Sequence, residues 1–568
     1  MMTGELVLLL AEHLLLTGLP GAAAALFAAR NGVRSVPVLL AIFLAASGGV
    51  GFLGFWAYYG DRVLGESLSY FVLIGSVALI AWSLHGGLLD RALLRRLGTP
   101  LALWGLGSVF LVMLGFVHGG TAEPIITSTT RFSHPLPTDS TIPLFYTEWF
   151  FHNGHHGVPP IFPGEWLVSD RPPLQIGYAL SQRPFAWDAR GLSYQVLGVV
   201  LQQLWIVGLW ALLLAARVGR VTRGLAMVAV LVSDLAIVSG FFVWPKLLPA
   251  AMLLAATGLV MTPLWDEVRT RLWGAALDAA LCGLAMLGHG SSAFGIIPLV
   301  LLAAYRGLPS WRWIGVGLAV GIVLLGSWAA FQKYADPPGN RVTKWTLAGV
   351  VEIDGRGTLE SIRDAYAEAG VGGTLHNKAE NFVTMVGGAP AVVGVEAALD
   401  TGKLGEIAHS LRVVAFYYLV PSMGFLLLAP VAMAIGWRRR RRRPAEWSFA
   451  IACFAVFAIG AIVWGLVVFG SAEDHAVLHI CSFLIPILGM AGAVAGLRAV
   501  LPRFAVYYVA VASALSLALY VPSLDPPVGT SYSILAAIVG AAALAGFGVL
   551  AFRGAGDDGE PAAEATPT

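Results

Sequence analysis

Long apolar runs separated by short polar stretches make up most of the chain. A run of about 20 apolar residues matches the thickness of the bilayer hydrocarbon when it forms an α-helix. The pattern predicts about fifteen membrane-spanning helices. They fall near 5–28, 36–58, 67–86, 100–118, 195–216, 224–243, 247–263, 273–288, 291–305, 313–332, 411–436, 447–470, 476–498, 503–522 and 531–552. We therefore expect an all-α, polytopic membrane protein.

The composition agrees with this interpretation. Of the 568 residues, 57% are hydrophobic and 12% are charged, whereas soluble globular proteins carry about 25% charged residues. The net charge of +2 is too small to indicate a nucleic-acid partner. Cys282, Cys453 and Cys481 lie inside apolar runs, where they are typical packing residues and offer no disulfide framework or zinc spacing. The first apolar run lacks a basic flank, which favours a membrane span over a cleavable signal peptide.

Basic residues indicate the orientation, because cytoplasmic loops carry an excess of Lys and Arg. Alternate loops hold Arg30 and Arg34, Arg91, Arg95 and Arg96, Arg217, Arg220 and Arg223, Arg269 and Arg271, Arg306 and Arg312, Arg438 to Arg443, and Arg498 and Arg503. This places the N-terminus outside and the C-terminus in the cytoplasm. Because the Ala/Gly/Arg-rich composition is typical of GC-rich bacterial genomes, we expect a bacterial inner (plasma) membrane.

Two polar segments are too long to be simple connectors, and both fall on the predicted outer side. The expected organisation is N-terminal transmembrane helices at 1–118, a first extracytoplasmic loop at 119–194, central helices at 195–332, a second extracytoplasmic segment at 333–410, C-terminal helices at 411–553 and a disordered cytoplasmic tail at 554–568. Within the first loop, "IPLFYTEWFFHNG" and "RPPLQIGYAL" predict two short interfacial helices, the second beginning with prolines in its first turn.

The order of polar motifs in this loop resembles the integral-membrane glycosyltransferases of the GT-C superfamily. The similar branch contains protein O-mannosyltransferases and aminoarabinose transferases. Their large outer loop opens on an acidic residue, continues through a Trp-bearing stretch and ends in a basic-Pro-Pro-Leu motif. Here Asp139, Trp166 and Arg171–Leu174 occupy these positions.

Two later segments are similar to the same family. "CGLAMLGHGSSAFGIIPLVLLA" places His289 at an outer turn, and "HAVLHICSFLIPILGMAGAVAGL" places His475 and His479 at the outer end of a late span. The chain also departs from the family. Lys246 stands where the family often has Arg or Asp, and Asp139 has no neighbouring acid.

The resemblance implies an inverting transfer of a sugar from a polyprenyl-phosphate carrier to a glycan, lipid or protein acceptor of the cell envelope. Membrane lipid and the lipid-linked donor are then the expected partners. By this resemblance Asp139 is the base that takes the acceptor's proton, and Arg171 binds the donor phosphate through its planar fork. Further candidates for the anion site are Lys246, His289, His475 and His479.

Each assignment has a structural alternative. Asp139 is also suited to capping a helix, and Arg171 to extending towards lipid headgroups. Glu148 is the reserve candidate for the base. Asp170 and Glu165 are candidates for direct contact with the sugar, although loop acids commonly face water.

The second outer segment predicts a lid over the site or an inert connecting domain. It opens with a turn at Asp336–Gly339, followed by Arg341, a weaker phosphate candidate. The cofactor is unknown. A divalent metal is possible but not required, since "HNGHH" (His152, His155 and His156) offers zinc ligands only if an acid joins them.

Two other function classes compete with the enzyme. A transporter or flippase of a lipid-linked glycan is expected to carry charges near the bilayer midplane and to have interrupted helices; Asp234 and Asp278 are the intramembrane candidates. A non-catalytic membrane protein of an envelope-assembly complex would also use large outer loops.

Overall fold

The computed structural model describes residues 2–87, 89–132, 136–185, 187, 188, 190–470, 481–522 and 532–553. The helices within these ranges are α1 Met2–Arg30, α2 Val36–Gly60, α3 Arg62–Leu84, α4 Arg91–Gly115, α5 Pro124–Thr130, α6 Ile142–Asn153, α7 Leu174–Gln182, α8 Leu192–Gln202, α9 Trp205–Ala215, α10 Arg220–Leu231, α11 Asp234–Phe241, α12 Leu247–Met261, α13 Trp265–Val268, α14 Leu272–Gly288, α15 Ala293–Arg306, α16 Trp311–Gly321, α17 Ser327–Tyr334, α18 Arg341–Ala348, α19 Thr358–Val386, α20 Gly388–Thr401, α21 Leu404–Tyr417, α22 Ala429–Gly436, α23 Pro444–Val467, α24 Leu484–Val500, α25 Pro502–Tyr520 and α26 Ile534–Arg553. β-pairing within the described ranges is limited to a bridge between Phe162 and Trp166, which confirms the all-α class.

Many of these helices are long and apolar enough to cross a membrane. The described residues contain 11 such helices, or 12 when the pair α10 and α11, bent by 49°, is taken as one broken span. Shorter apolar helices include α12, α14 and α24. These helices support a polytopic membrane protein, while the number of spans stays a prediction. One qualifying helical run, Thr358–Thr401, lies in the segment predicted to be extracytoplasmic.

The centre and the periphery of the bundle differ in what surrounds them. Every residue of α12 and of α24 is buried, as expected for helices that are apolar on all sides. Peripheral helices instead leave large apolar side chains exposed, such as Phe71 on α3 and Leu318 on α16. Exposed apolar faces of this kind suit contact with lipid.

Within the predicted outer loop at 119–194, α6 and α7 form where the sequence predicts helices, and α5 precedes them. α6 and α7 differ in exposure. α6 follows a 3₁₀ turn at Thr138–Thr141 and has a proline in its first turn. α7 is buried along its whole length, so the prediction of an interfacial helix was wrong for it. Gly51 and Gly177 explain the burial, because a Cβ on Gly177 would lie 1.8 Å from the carbonyl oxygen of Gly51. The missing side chains let α7 pack directly on α2.

Candidate functional site

A cavity of about 430 Å³ lies where the predicted outer loops meet the helix ends. Its polar lining comes from both predicted outer segments, from the end of α17 and from the turn after α14. The polar and charged residues of the wall are Asp139, Ser169, Asp170, Arg171, His289, Gln332, Thr343 and Thr346. Its aromatic residues are Trp166, Trp244, Trp328, Trp345 and Tyr417. All of these residues belong to loops or helix ends that the sequence assigns to one side of the membrane.

Asp139 and Arg171 form an ion pair in one wall of the cavity. Arg171 Nη2 donates a hydrogen bond to Asp139 Oδ2 at 2.8 Å, and the guanidinium carbon lies 4.1 Å from the centre of the Trp166 ring. Arg171 is only 7% exposed. Its Nε is buried and has no hydrogen-bond partner among the described residues. Arg171 therefore combines one ion-pair contact with one buried donor that makes no hydrogen bond to the described residues. The Asp139 side chain does not cap α6, whose N-cap is Thr141.

A second layer of contacts fixes the loop that carries Arg171. Asp170 Oδ2 accepts hydrogen bonds from the Leu167 N–H at 2.9 Å and from Arg341 Nη1 at 3.2 Å. Burial raises the pKa of Asp170, while these two contacts favour its ionised form. The guanidinium carbon of Arg341 also lies 4.9 Å from the centre of the Trp166 ring. Arg341 thus connects the two predicted outer segments, and it contacts Asp170 and Trp166 of the cavity wall.

The same second segment forms part of the cavity's cover. Asp336 Oδ2 accepts from the Ser169 N–H at 2.7 Å, and Gln332 Nε2 donates to the Ser169 carbonyl at 2.9 Å. Four residues of α18 line the cavity: Val342, Thr343, Trp345 and Thr346. The second segment thus forms one wall of the cavity, and its role as a lid stays a prediction.

Lys246 and His289 come together on the side of the cavity near Trp244. Lys246 Nζ lies 3.4 Å from His289 Nδ1 and 4.6 Å from the centre of the Trp244 ring. His289 lines the cavity, whereas Lys246 is buried just behind it. The Lys246 amine and the His289 imidazole therefore lie close to one another at this wall, and burial lowers the pKa of Lys246.

Other predicted site residues lie away from the cavity. Glu148 is held by Arg183 through two hydrogen bonds of 3.2 and 2.8 Å and by Trp187 Nε1 at 2.7 Å. Glu165 is exposed, and its backbone has a φ of +63°; its carbonyl oxygen accepts from Arg341. His475 and His479 lie outside the described residues.

The histidine motif of the first loop is separate from the cavity. His155 Nδ1 lies 2.8 Å from the carbonyl oxygen of Gly60, and the ring centres of His155 and His156 are 4.0 Å apart. Among the described residues, no three or more His, Cys, Asp or Glu side chains form a group able to hold a metal ion. The arrangement therefore offers no ready metal site in this part of the chain.

An apolar groove adjoins the polar cavity. It has a volume of about 530 Å³ and runs between α14, α15 and α16. Met286 and Leu325 line both hollows, so the groove begins where the cavity ends. Val300 and Leu318 on its wall are 60% and 62% exposed. The groove is thus open sideways at helix faces suited to lipid.

Sequence reasoning missed most of the aromatic wall. Trp244, Trp328, Trp345 and Tyr417 come from four separate segments, and each lies in or beside an apolar stretch where an aromatic residue is ordinary. One signal was available for Trp244, because "VWPK" puts it two residues before a candidate cation. The others depend on how distant segments pack.

Comparisons with protein-family models, with curated proteins and with solved structures found no match to this chain.

Proposed function

We propose that the protein is an inverting glycosyltransferase of the bacterial inner membrane, with the cavity on its extracytoplasmic side. It would move a sugar from a polyprenyl-phosphate carrier to a glycan, lipid or protein acceptor. The observation that carries the proposal is the junction of two hollows. A polar cavity with an acid and an arginine continues, at Met286 and Leu325, into an apolar groove open at the side.

Each part of a lipid-linked sugar has a matching surface in this arrangement. A prenyl chain suits the apolar groove, and a sugar suits a cavity that combines aromatic faces with a few polar groups. The phosphate suits the end of the cavity near Arg171, whose Nε is buried without a partner among the described residues. An arginine fork binds phosphate oxygens well in a buried setting.

The proposed step is a single displacement. The acceptor's hydroxyl oxygen attacks the anomeric carbon while the bond from that carbon to the phosphate oxygen breaks. The hydroxyl proton passes to the Asp139 carboxylate. The polyprenyl phosphate leaves with the bonding electron pair, and its charge is stabilised by Arg171, with Lys246 and His289 close by. No metal takes part in this scheme.

The proposal is tested with purified protein and a polyprenyl-phosphate sugar that is radiolabelled in the sugar. We expect release or transfer of the label by the native protein and its loss in Asp139→Asn. Labelled sugars of several classes are offered in parallel. Absence of turnover with every lipid-linked sugar would overturn the proposal.

One observation favours transport of a lipid-linked glycan as the second candidate. α10 and α11 meet at a 49° bend, and the buried Asp234 begins the second helix, with its Oδ1 3.4 Å from Ser516 Oγ. Interrupted helices and ionisable side chains within membrane segments are both typical of transporters. Movement of labelled lipid-linked glycan across reconstituted vesicles, lost in Asp234→Asn, would favour this function.

A further inference from the structure

A chain of buried hydrogen bonds lies beneath the candidate site. The Tyr194 hydroxyl donates to the carbonyl oxygen of Ser140 at 2.7 Å, and Gln175 Nε2 donates to the Tyr194 oxygen at 2.9 Å. Ser140 directly follows Asp139, and Gln175 lies four residues after Arg171. This arm connects the backbone beside the acid to the helix that follows the arginine.

A second arm runs from Gln175 to the start of α12. Gln202 Nε2 donates to Gln175 Oε1 at 3.3 Å, and Gln202 Oε1 accepts from the N–H groups of Leu247 and Leu248 at 2.9 and 3.1 Å. These are N–H groups of the first helical turn, which have no partner within the helix. Because they directly follow Lys246, this arm fixes the backbone beside that cation.

Gln175 also holds an unusual turn. Its Nε2 donates to the carbonyl oxygen of Val243 at 3.0 Å, and Val243 has a φ of +53°. A positive φ is a genuine outlier for a β-branched residue, and such backbone persists where surrounding contacts fix it. The turn leads into Trp244, which lines the cavity.

We infer that Gln175 is a positioning residue, which holds Asp139, Arg171 and the Trp244–Lys246 turn in their positions relative to one another. The inference rests on the proposed function. A single amide makes three of the connections, since its N–H groups serve Tyr194 and Val243 and its oxygen serves Gln202. Leucine would fill a similar volume but leave all three buried partners without this contact.

A matched control lies on the same helix. Gln182 on α7 is 3% exposed, compared with 1% for Gln175. Its Nε2 donates to Thr17 Oγ1 at 2.9 Å, and its Oε1 lies 2.8 Å from His13 Nδ1. These partners do not line the cavity. Gln182→Leu therefore creates the same kind of buried defect about two helical turns away from Gln175.

The experiment compares Gln175→Leu, Gln182→Leu and Tyr194→Phe by thermal unfolding, amide hydrogen exchange and donor turnover. We expect both leucine variants to lose similar thermal stability. Only Gln175→Leu should raise exchange at 243–248, by about tenfold, and lower kcat by about tenfold with a smaller change in KM. Tyr194→Phe should loosen the backbone at Ser140 and lower kcat by a smaller factor.

Hydrogen exchange tests the positioning role of Gln175, and donor turnover tests the proposed function, so the two claims can fail independently. Equal exchange at 243–248 in the two leucine variants would overturn the positioning role, whatever the activity. If the native protein turns over no lipid-linked sugar, the proposed function fails, while the exchange comparison still decides whether Gln175 orders the turn. Should Gln175→Leu fail to fold, Tyr194→Phe decides through exchange at 138–142: no increase over the native protein overturns the inference.

Discussion

The predicted outer loop at 119–194 contains two arginine–carboxylate pairs, which differ in the number of hydrogen bonds that the carboxylate accepts. Arg183 and Glu148 share two hydrogen bonds, Trp187 supplies a third to the carboxylate, and the Arg183 guanidinium carbon lies 3.5 Å from the centre of the Phe151 ring. Arg171 and Asp139 share one hydrogen bond beside a cavity. We call Arg183–Glu148 the closed pair, because its carboxylate accepts three hydrogen bonds, and Arg171–Asp139 the open pair, because its carboxylate accepts one and lines a cavity. The closed pair is suited to stabilising the fold, whereas the open pair is suited to binding or catalysis.

The largest effect is expected for Asp139→Asn. Loss of a general base typically lowers a rate by about 10²–10⁴-fold, so sugar transfer should fall by that factor while the helical content stays unchanged. Single-turnover assays with labelled donor measure the loss. The matched change in the closed pair, Glu148→Gln, should leave transfer within about twofold of native. Equal losses in the two variants would remove the distinction between the pairs.

The next effect is expected for Arg171→Lys. Lysine keeps the positive charge but lacks the planar fork and its contact with Trp166, so we expect donor KM to rise about tenfold. Steady-state kinetics against donor concentration check this change. Arg183→Lys is the control and should leave KM near the native value. An unchanged KM in Arg171→Lys would place the phosphate elsewhere.

A smaller and more selective effect is expected where the cavity meets the groove. Met286→Trp adds bulk at the junction, so a long-chain donor should bind about three- to tenfold more weakly, while a short-chain donor is little affected. The ratio of the two KM values is the measurement. An equal change for both chain lengths would show that the groove does not hold the chain.

The smallest effect is a pH dependence of stability at the closed pair. Burial opposes ionisation of Glu148, but its hydrogen bonds from Arg183 and Trp187 outweigh this and lower its pKa. A lowered folded-state pKa contributes stability above the unfolded pKa of about 4.3, and this is lost as pH falls through the folded value. Since the side chain is 39% exposed, Glu148→Gln should cost about 0.5–1 kcal/mol at neutral pH and less in acid. Thermal unfolding across pH tests this, and a difference that grows in acid would contradict it.

The sequence was enough to predict the helical class, because that follows from the local hydrophobic pattern. The resemblance in motif order implied that Asp139 and Arg171 belong to one site, and their side chains lie 2.8 Å apart. It ranked Glu148 behind Asp139 by motif order alone. Both are loop acids, and only packing shows that Arg183 and Trp187 close one of them. The burial of α7 was also missed, since it depends on Gly51 and Gly177 meeting across two helices.

The most direct measurement is an electron density map of the protein with a bound polyprenyl phosphate. We expect the phosphate within hydrogen-bond distance of the Arg171 guanidinium and the prenyl chain passing Met286 and Leu325 into the groove between α14, α15 and α16. Lipid phosphate bound away from Arg171, or a chain that leaves the groove empty, would contradict the proposed site.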